Sequence, residues 1–342
     1  MTSTTRPYLY LLLLLMLAIL ISIAVGAVFI PPAVVARMLL SLLPGIDLSI
    51  NWSESFSAIV YQIRLPHTVL IALTGAALAG SGAVFQGVFR NPLADPYLIG
   101  VASGAGLGAV LGLAMNLSPG LGGLYIVPIA AFIGALLTIA IVYNLARVGR
   151  SVPTTTLILA GVAVSAFATS LSSFLMLRSN EELRRAFSWL LGGAIMGGWA
   201  PVFASLPYIL IGLALISISG HTLNVLQFGE EQAQQLGLSV ERAKLVLILA
   251  ASLTTAAAVA FAGIIGFIGL IVPHLVRFLW GADYRRLVPL SIIGGSVALL
   301  LADVLARTIL APQTIPVGIV TALAGAPFFL WILRRAKDQA YW

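Results

Sequence analysis

The chain of 342 residues is 60% hydrophobic and only 8% charged, carries a formal net charge of +7 and contains no cysteine. Soluble domains carry about 25% charged residues, and one water-soluble core cannot hide this much apolar surface. The composition, with a mean hydropathy of +1.08, therefore places the chain in a membrane. It excludes disulfides, thiolate metal sites and a cysteine nucleophile, and the scattered positive charges read as topological rather than as a nucleic-acid face.

The first apolar run extends from Tyr8 to Ile30. Secretory signal cores reach about 7–15 residues, whereas a membrane span needs about 20, so the run reads as a retained helix rather than a cleaved signal. Further apolar segments follow at 64–87, 95–115, 122–146, 154–177, 195–219, 243–262, 264–281, 287–306 and 316–333. The stretch from Ala243 to Gly281 is too long for one crossing and must fold back. The turn is expected in AGIIGFIG, where Gly263, Gly266 and Gly269 weaken the helix.

These segments predict an all-α, polytopic membrane protein: a single domain over 1–342 with ten transmembrane helices and both termini cytoplasmic. The charges agree with that count. Twelve Lys and Arg residues fall on inner segments, among them Arg6, Arg90, Arg147, Arg242, Lys244 and Arg286, and six on outer ones, namely Arg37, Arg64, Arg178, Arg184, Arg185 and Arg307. That asymmetry follows the positive-inside rule.

Three connections are long or polar. Residues 31–58, outside, have room for a short interfacial helix. In RSNEELRRAFSWL, Asn180 can cap a helix whose first turn carries Glu181 and Glu182. The inner segment 220–242 contains GEEQAQQLG, in which Gly229 to Leu236 can form a short helix stopped by Gly237. Ser239 can cap the next span, with Glu241 in its first turn. The short helix would present Glu230, Glu231, Gln234 and Gln235 on one side and an apolar ridge of Ala233 and Leu236 on the other. A docking helix and a solvated loop fit that pattern equally.

Several motifs are excluded. Gly104, Gly106 and Gly108 do not make GxGxxG; Gly100, Gly104, Gly108 and Gly112 instead form a four-residue stripe suited to helix packing. No P-loop lysine follows a glycine, so any ATPase must be another polypeptide. His67, His221 and His274 are dispersed, HExxH is absent and no span holds a close carboxylate pair, so catalysis by this chain is not indicated. Asp303 is the acidic residue near the interior of a predicted span. It reads either as an intramembrane functional group or, more simply, as an i,i+4 partner of Arg307 or a member of a helix-to-helix hydrogen bond.

RLPHTVL, GAALAGSGAVFQGVFRNPLADPYLIGVASGAGLGAVLG, LILAGVAVSA, GEEQAQQLG, GIIGFIGLIVPHLVR and LLLADVLAR…PQTIPVGIVTALAGAPFFLWIL occur in that order from Arg64 onward. Together they resemble the FecCD-type permeases, membrane subunits of ABC importers for iron chelates, haem and cobalamin. The resemblance implies a type II importer permease in a prokaryotic cytoplasmic (inner) membrane, working as a homodimer with a cytoplasmic ATPase dimer and an extracytoplasmic substrate-binding protein. ATP and Mg would then belong to the ATPase, with no cofactor or metal in this chain and no nucleic-acid partner.

Site residues follow from the same resemblance. Segment 220–242 corresponds to the coupling loop, with Glu230, Glu231, Gln232, Gln234, Gln235 and Gly237 as ATPase contacts. Arg64 and Arg307 match positions that receive the binding protein, and His67 stands where the family usually has a second arginine. A neutral imidazole there weakens one contact near pH 7. Thr154 and Thr155, at the start of the fifth span, match the inner gate, although Ser151 and these threonines can also cap the helix. The resemblance leaves siderophore, haem, cobalamin and oxyanion cargo open, with an iron chelate the default. An ion-coupled secondary transporter relaying through Asp95 and Asp303, with FRNPLADP as a broken helix, is the competing reading, and a structural or receptor subunit a third. Under the permease reading FRNPLADP is an inner turn: Pro92 and Pro96 stop helices while Asn91 and Asp95 satisfy freed backbone groups.

Overall fold

A computed structural model describes residues 5–42, 52–115, 121–149, 151–177, 180–193 and 197–338. Among them every regular element is helical, aside from one antiparallel bridge between Val148 and Ser151. The α-helices, in order, are α1 (Arg6–Ala24), α2 (Pro32–Leu40), α3 (Glu54–Ala58), α4 (Leu65–Phe89), α5 (Val101–Ala114), α6 (Leu121–Ala146), α7 (Thr154–Met176), α8 (Asn180–Leu190), α9 (Ala200–Ile218), α10 (Gly220–Leu226), α11 (Glu230–Gln235), α12 (Val240–Ala262), α13 (Ile268–Trp280), α14 (Tyr284–Thr308) and α15 (Val317–Asp338). Among the described residues seven helices are long and apolar enough to cross a membrane. The shorter apolar helices Val101–Ala114, Ile268–Trp280 and Val317–Ile332 occupy the remaining apolar runs.

At the centre stands α4, buried continuously from Thr74 to Val88 and packed mainly against α14, α12 and α13. Lipid tails are as apolar as leucine, so helix association here depends on close packing and polar contacts. Small residues supply the first. A Cβ on either Gly75 or Gly295 would run into the other's carbonyl, and one on Gly82 would strike the Gly269 carbonyl. Hydroxyls supply the second: Ser81 Oγ donates to Ala251 O at 2.9 Å and Ser296 Oγ to Ala72 O at 2.8 Å. The predicted glycine stripe packs α5 onto α6, since a Cβ on Gly104 would meet the Gly134 carbonyl and one on Gly108 the Ala130 carbonyl. Gly100, which caps α5 in the left-handed region at φ 86°, begins the stripe, since a Cβ there would meet Thr138 of α6.

Helix breaks follow local chemistry. The second apolar run begins earlier than expected, because Ser53 Oγ accepts from Phe56 N and starts a helix at Glu54 inside the predicted 31–58 connection. Between α3 and α4 the helix is π-helical over Ile59–Arg64. Pro66 lacks the N–H that residue 62 would otherwise receive, and the Leu65 N–H bonds to Val60 O, one residue further back than in an α-helix. The expected fold-back lies between Ala262 and Ile268, with Gly263 at φ 80° and Phe267 at φ 69°; Gly269 is inside α13, where it meets α4.

The FRNPLADP corner departs from expectation in one respect. α4 ends at Phe89 with Arg90 left-handed, ahead of Pro92, and Pro96 begins a 3-10 turn (Pro96–Ile99) instead of stopping a helix. Its fixed φ suits a first helical position. The polar roles are as expected: Asn91 Oδ1 accepts from Leu93 N and Asp95 Oδ1 from Tyr97 N. Ser239 occupies the N-cap position of α12 but its side chain makes no cap bond. Of the 31–58 connection, 43–51 lie outside the described residues, as do the side chains of Asn180, Glu181 and Glu182.

Candidate functional site

Polar side chains gather at the two ends of the bundle. The near end is where α1 begins, close to Asp283 and Arg286; the far end is where α1 stops at Ala24.

At the far end, the π-helical segment delivers Arg64 into the protein with only 8% of its surface exposed. Its guanidinium donates to Ile23 O at 2.6 Å, to Ala24 O at 3.1 Å and to Val28 O. Arg307, near the end of α14, donates from Nε to Asp303 Oδ2 at 2.8 Å, from Nη1 to Val25 O at 3.1 Å and from Nη2 to Ser22 O at 3.1 Å. The two arginines thus satisfy the orphan carbonyls at the end of α1, which otherwise has no basic residue in its last turn. His67 Nε2 lies 2.9 Å from Asp303 Oδ1. The expected i,i+4 pair of Asp303 and Arg307 is therefore present, and Asp303, buried at 4% exposure, is held from both sides. Arg64, His67 and Arg307 line one cavity of about 360 Å³ with Gly26, Ile63 and Pro312.

At the near end, α10 is laced to the core: Asn224 Nδ2 donates to Asp283 Oδ1 at 2.7 Å, and Gln227 Nε2 to Gly87 O at 3.0 Å. Asp283 caps α14, and hydrogen bonds from Arg285, then from Asn224, hold its carboxyl well below the usual carboxylate range despite some burial. The helix expected in GEEQAQQLG forms as α11, bounded by Gly229 at φ 107° and Gly237 at φ 87°. Glu230, Glu231, Gln232, Gln234, Gln235 and Gly237 are exposed. The expected apolar ridge divides: Ala233 is buried, whereas Leu236 is 67% exposed, alongside Phe228 at 64%. With one turn of helix anchored through Ala233, Leu236 falls beyond the anchored face. Sequence reading overlooked Phe228, whose only signal is a bulky aromatic beside a polar loop.

Glu230 is not free; its Oε1 accepts from Lys244 Nζ at 3.0 Å. The same ammonium donates to Val152 O at 3.0 Å, two residues before Thr154 opens α7. Thr154 is half-buried and Thr155 exposed. Neither they nor Ser151 caps α7: Pro153 is the N-cap, without a side-chain bond, and Ser151 Oγ donates to Val148 O. Thr156 instead ties the turn to α6, donating to Ala146 O and Pro153 O.

Between the ends runs α7, whose outward side alternates large apolar residues such as Leu159, Val162, Phe167 and Phe174 with hydroxyls. An open groove of about 670 Å³ follows Ser165, Thr169, Ser170 and Ser173. On the side facing α5, a cavity of about 350 Å³ shares Ser165, Thr169 and Ser173 and adds Tyr97 and Ser103. Among the described residues no three His, Asp or Glu side chains come together as a metal site.

A multi-helix membrane protein with paired polar clusters at its ends and a hydroxyl-bearing helix between them has the build of a translocation subunit. The FecCD transport family matches residues 14–335, and the chain belongs to that family. It is 47% identical over 287 residues to the cobalamin import system permease BtuC of Halobacterium salinarum, covering 84% of this chain and 76% of that one. It is 43% identical over 280 residues to the hemin transport permease HmuU of Yersinia pestis, covering 81% and 84%. A solved inward-facing structure of a metal-chelate type ABC transporter superposes with a TM-score of 0.80 at 31% identity, covering 97% of this chain and 99% of that one. The chain is accordingly a multi-pass permease subunit of an ABC importer in a prokaryotic cytoplasmic membrane.

Proposed function

We propose that two copies of this chain carry an iron chelate, siderophore or haem, or a corrinoid, into the cytoplasm along the hydroxyl-bearing faces of their α7 helices. The observation that carries this reading is the α7 groove: a long membrane helix that keeps serines and threonines on a side its own fold leaves uncovered. A lipid-facing surface has no use for that pattern, whereas a polar passage closed by a second copy does. The relatives named for cobalamin and hemin import support the cargo class.

In this reading the chain crosses the membrane ten times with both termini inside, and the near end is cytoplasmic. The positive charges of Arg6, Arg90, Arg147, Arg242, Arg277, Arg285 and Arg286 support that orientation. The exposed face of α11, with Phe228 and Leu236 beside it, seats a separate ATPase that holds ATP and Mg and performs the hydrolysis. Thr154 and Thr155 narrow the inner mouth of the passage.

At the outer end Arg64, His67 and Arg307 receive the carboxylates of a substrate-binding protein. A guanidinium has five N–H donors, and most of those on Arg64 and Arg307 already serve Asp303 or carbonyls at and just beyond the end of α1. A docking carboxylate therefore takes the donors left facing the cavity, or displaces an α1 carbonyl. That couples docking to the end of α1.

Reconstitution in liposomes with the ATPase and binding protein tests the reading. Uptake of loaded iron chelate or corrinoid should require ATP hydrolysis. Uptake that proceeds without the ATPase and collapses with the proton gradient would instead establish the ion-coupled alternative, although Asp95 and Asp303 both serve local structure here.

A further inference from the structure

Lys244 is one of two lysines among the 18 Lys and Arg residues of the chain, and the cost of its position is plain. Its side chain is 5% exposed in the first turns of α12. An apolar residue would anchor α12 there without the desolvation penalty of a buried ammonium. What the ammonium reaches accounts for the choice. One donor holds Glu230 on α11, whose side chain is 48% exposed, and another holds the carbonyl of buried Val152. Glu241, one turn back on α12, lies 3.9 Å away and accepts from the Val152 N–H at 3.3 Å.

The Val152 peptide groups are thus gripped from both sides by α12. The next residue is Pro153, with φ fixed near −62°, and α7 starts immediately after it. A displacement of Val152 has no free torsion at Pro φ in which to dissipate, so it passes into the first turn of α7 beside Thr154 and Thr155. Lys244 therefore joins the exposed short helix and the segment that feeds α7 through one atom. Lysine suits this role better than arginine, because three rotatable donors on a flexible stem keep one partner while following the other.

We propose that Lys244 is the positioning residue that transmits movement of α11 to the start of α7, so that a push on the docking helix alters the inner mouth of the passage. This rests on the reading that α11 seats the ATPase and α7 lines the passage. The ion pair with Glu230 is the input contact, and the hydrogen bond to Val152 O is the output contact.

The test uses the complete complex in proteoliposomes and measures cargo taken up per ATP hydrolysed, together with co-purification of the ATPase. Lys244→Met, of similar length but uncharged, should retain the ATPase and its hydrolysis while lowering cargo per ATP about tenfold. Lys244→Arg should recover most of the ratio, which a purely space-filling role would not distinguish from methionine. Glu230→Gln, which weakens the input contact but keeps the output contact, should lower the ratio less, with co-purification of the ATPase separating this from a change at the ATPase-facing surface. An unchanged ratio in Lys244→Met overturns the proposal. If Lys244→Met does not assemble, Glu230→Gln decides: a reduced ratio with normal assembly supports transmission, and an unchanged one overturns it. Failure of the unmodified complex to couple uptake to ATP would refute the transporter reading itself, an outcome separable from any result on the variants.

Discussion

The two ends of the bundle solve the same problem differently. Both bury cations at helix ends in a chain with few charges to spare. At the far end, two planar guanidinium forks spread over five carbonyls at and just beyond the end of α1, and Arg307 shares one carboxylate, Asp303, with His67. At the near end, a single ammonium spans a half-exposed carboxylate and one loop carbonyl. The forks fix a geometry, because moving either one breaks several bonds at once. The ammonium tolerates rearrangement, because its partners can shift while it turns. The far end is therefore the stiffer of the two clusters and the near end the more adaptable.

Removing the shared carboxylate should break the far end outright. Asp303→Ala leaves Arg307 and His67 facing each other without their acceptor, and should cost about 3–5 kcal/mol of stability, read as a large fall in thermal unfolding temperature in detergent. An unfolding temperature within a degree or so of the parent's would sink the claim that this cluster is the tighter one. At the near end, Lys244→Met leaves Glu230 half exposed to water and orphans only the Val152 carbonyl. It should cost about 1–3 kcal/mol, less than Asp303→Ala in the same assay. A reversed order would invert the comparison.

Gly82→Ala sharpens it from the core that both ends share. The added Cβ meets the Gly269 carbonyl, backbone that cannot swing aside, and overpacking of this kind costs about 1–3 kcal/mol. Asp283→Ala should cost about 0.5–1 kcal/mol, a lost helix cap discounted for its exposure. Because the folded-state Asp283 carboxyl is held below its ordinary value, its contribution is present above the usual carboxylate range and fades as pH falls through acid values. Stability of the alanine variant should therefore depend less steeply on acid pH than that of the parent. Smallest of all for the fold is Glu231→Arg on exposed α11, within about 0.5 kcal/mol of the parent. Its effect should appear instead as weaker co-purification of the ATPase.

What could be read beforehand, and what could not, divides by the range of the interaction. Apolar runs locate the helices because each span must satisfy its own backbone, a local requirement. The Asp303–Arg307 pair was legible for the same reason, being one helical turn apart. His67 meets Asp303 across 236 residues: a carboxylate inside a span signals a partner on another helix, but nothing in either neighbourhood says which. Lys244 reads in the sequence only as one of the inner charges, because Val152, 92 residues away, is a backbone partner, and backbone carbonyls leave no mark in a sequence. Local expectations fail where a finer local detail outweighs the pattern. Periodicity puts Leu236 with Ala233, yet α11 is too short to keep a face; and Pro96, a helix stop by its residue type, begins a turn because Asp95 caps it.

The backbone contact between Gly75 and Gly295 also bears on how the protein is made. Ser296 and Ala72, which seal the same crossing, are 224 residues apart. During synthesis α4 enters the bilayer long before α14 exists, with a bare glycine groove and unpartnered serine hydroxyls facing lipid. Its permanent neighbour arrives only when most of the chain has been threaded. The central crossing of the permease therefore closes late, and its stability is available only once nearly the whole chain has been made.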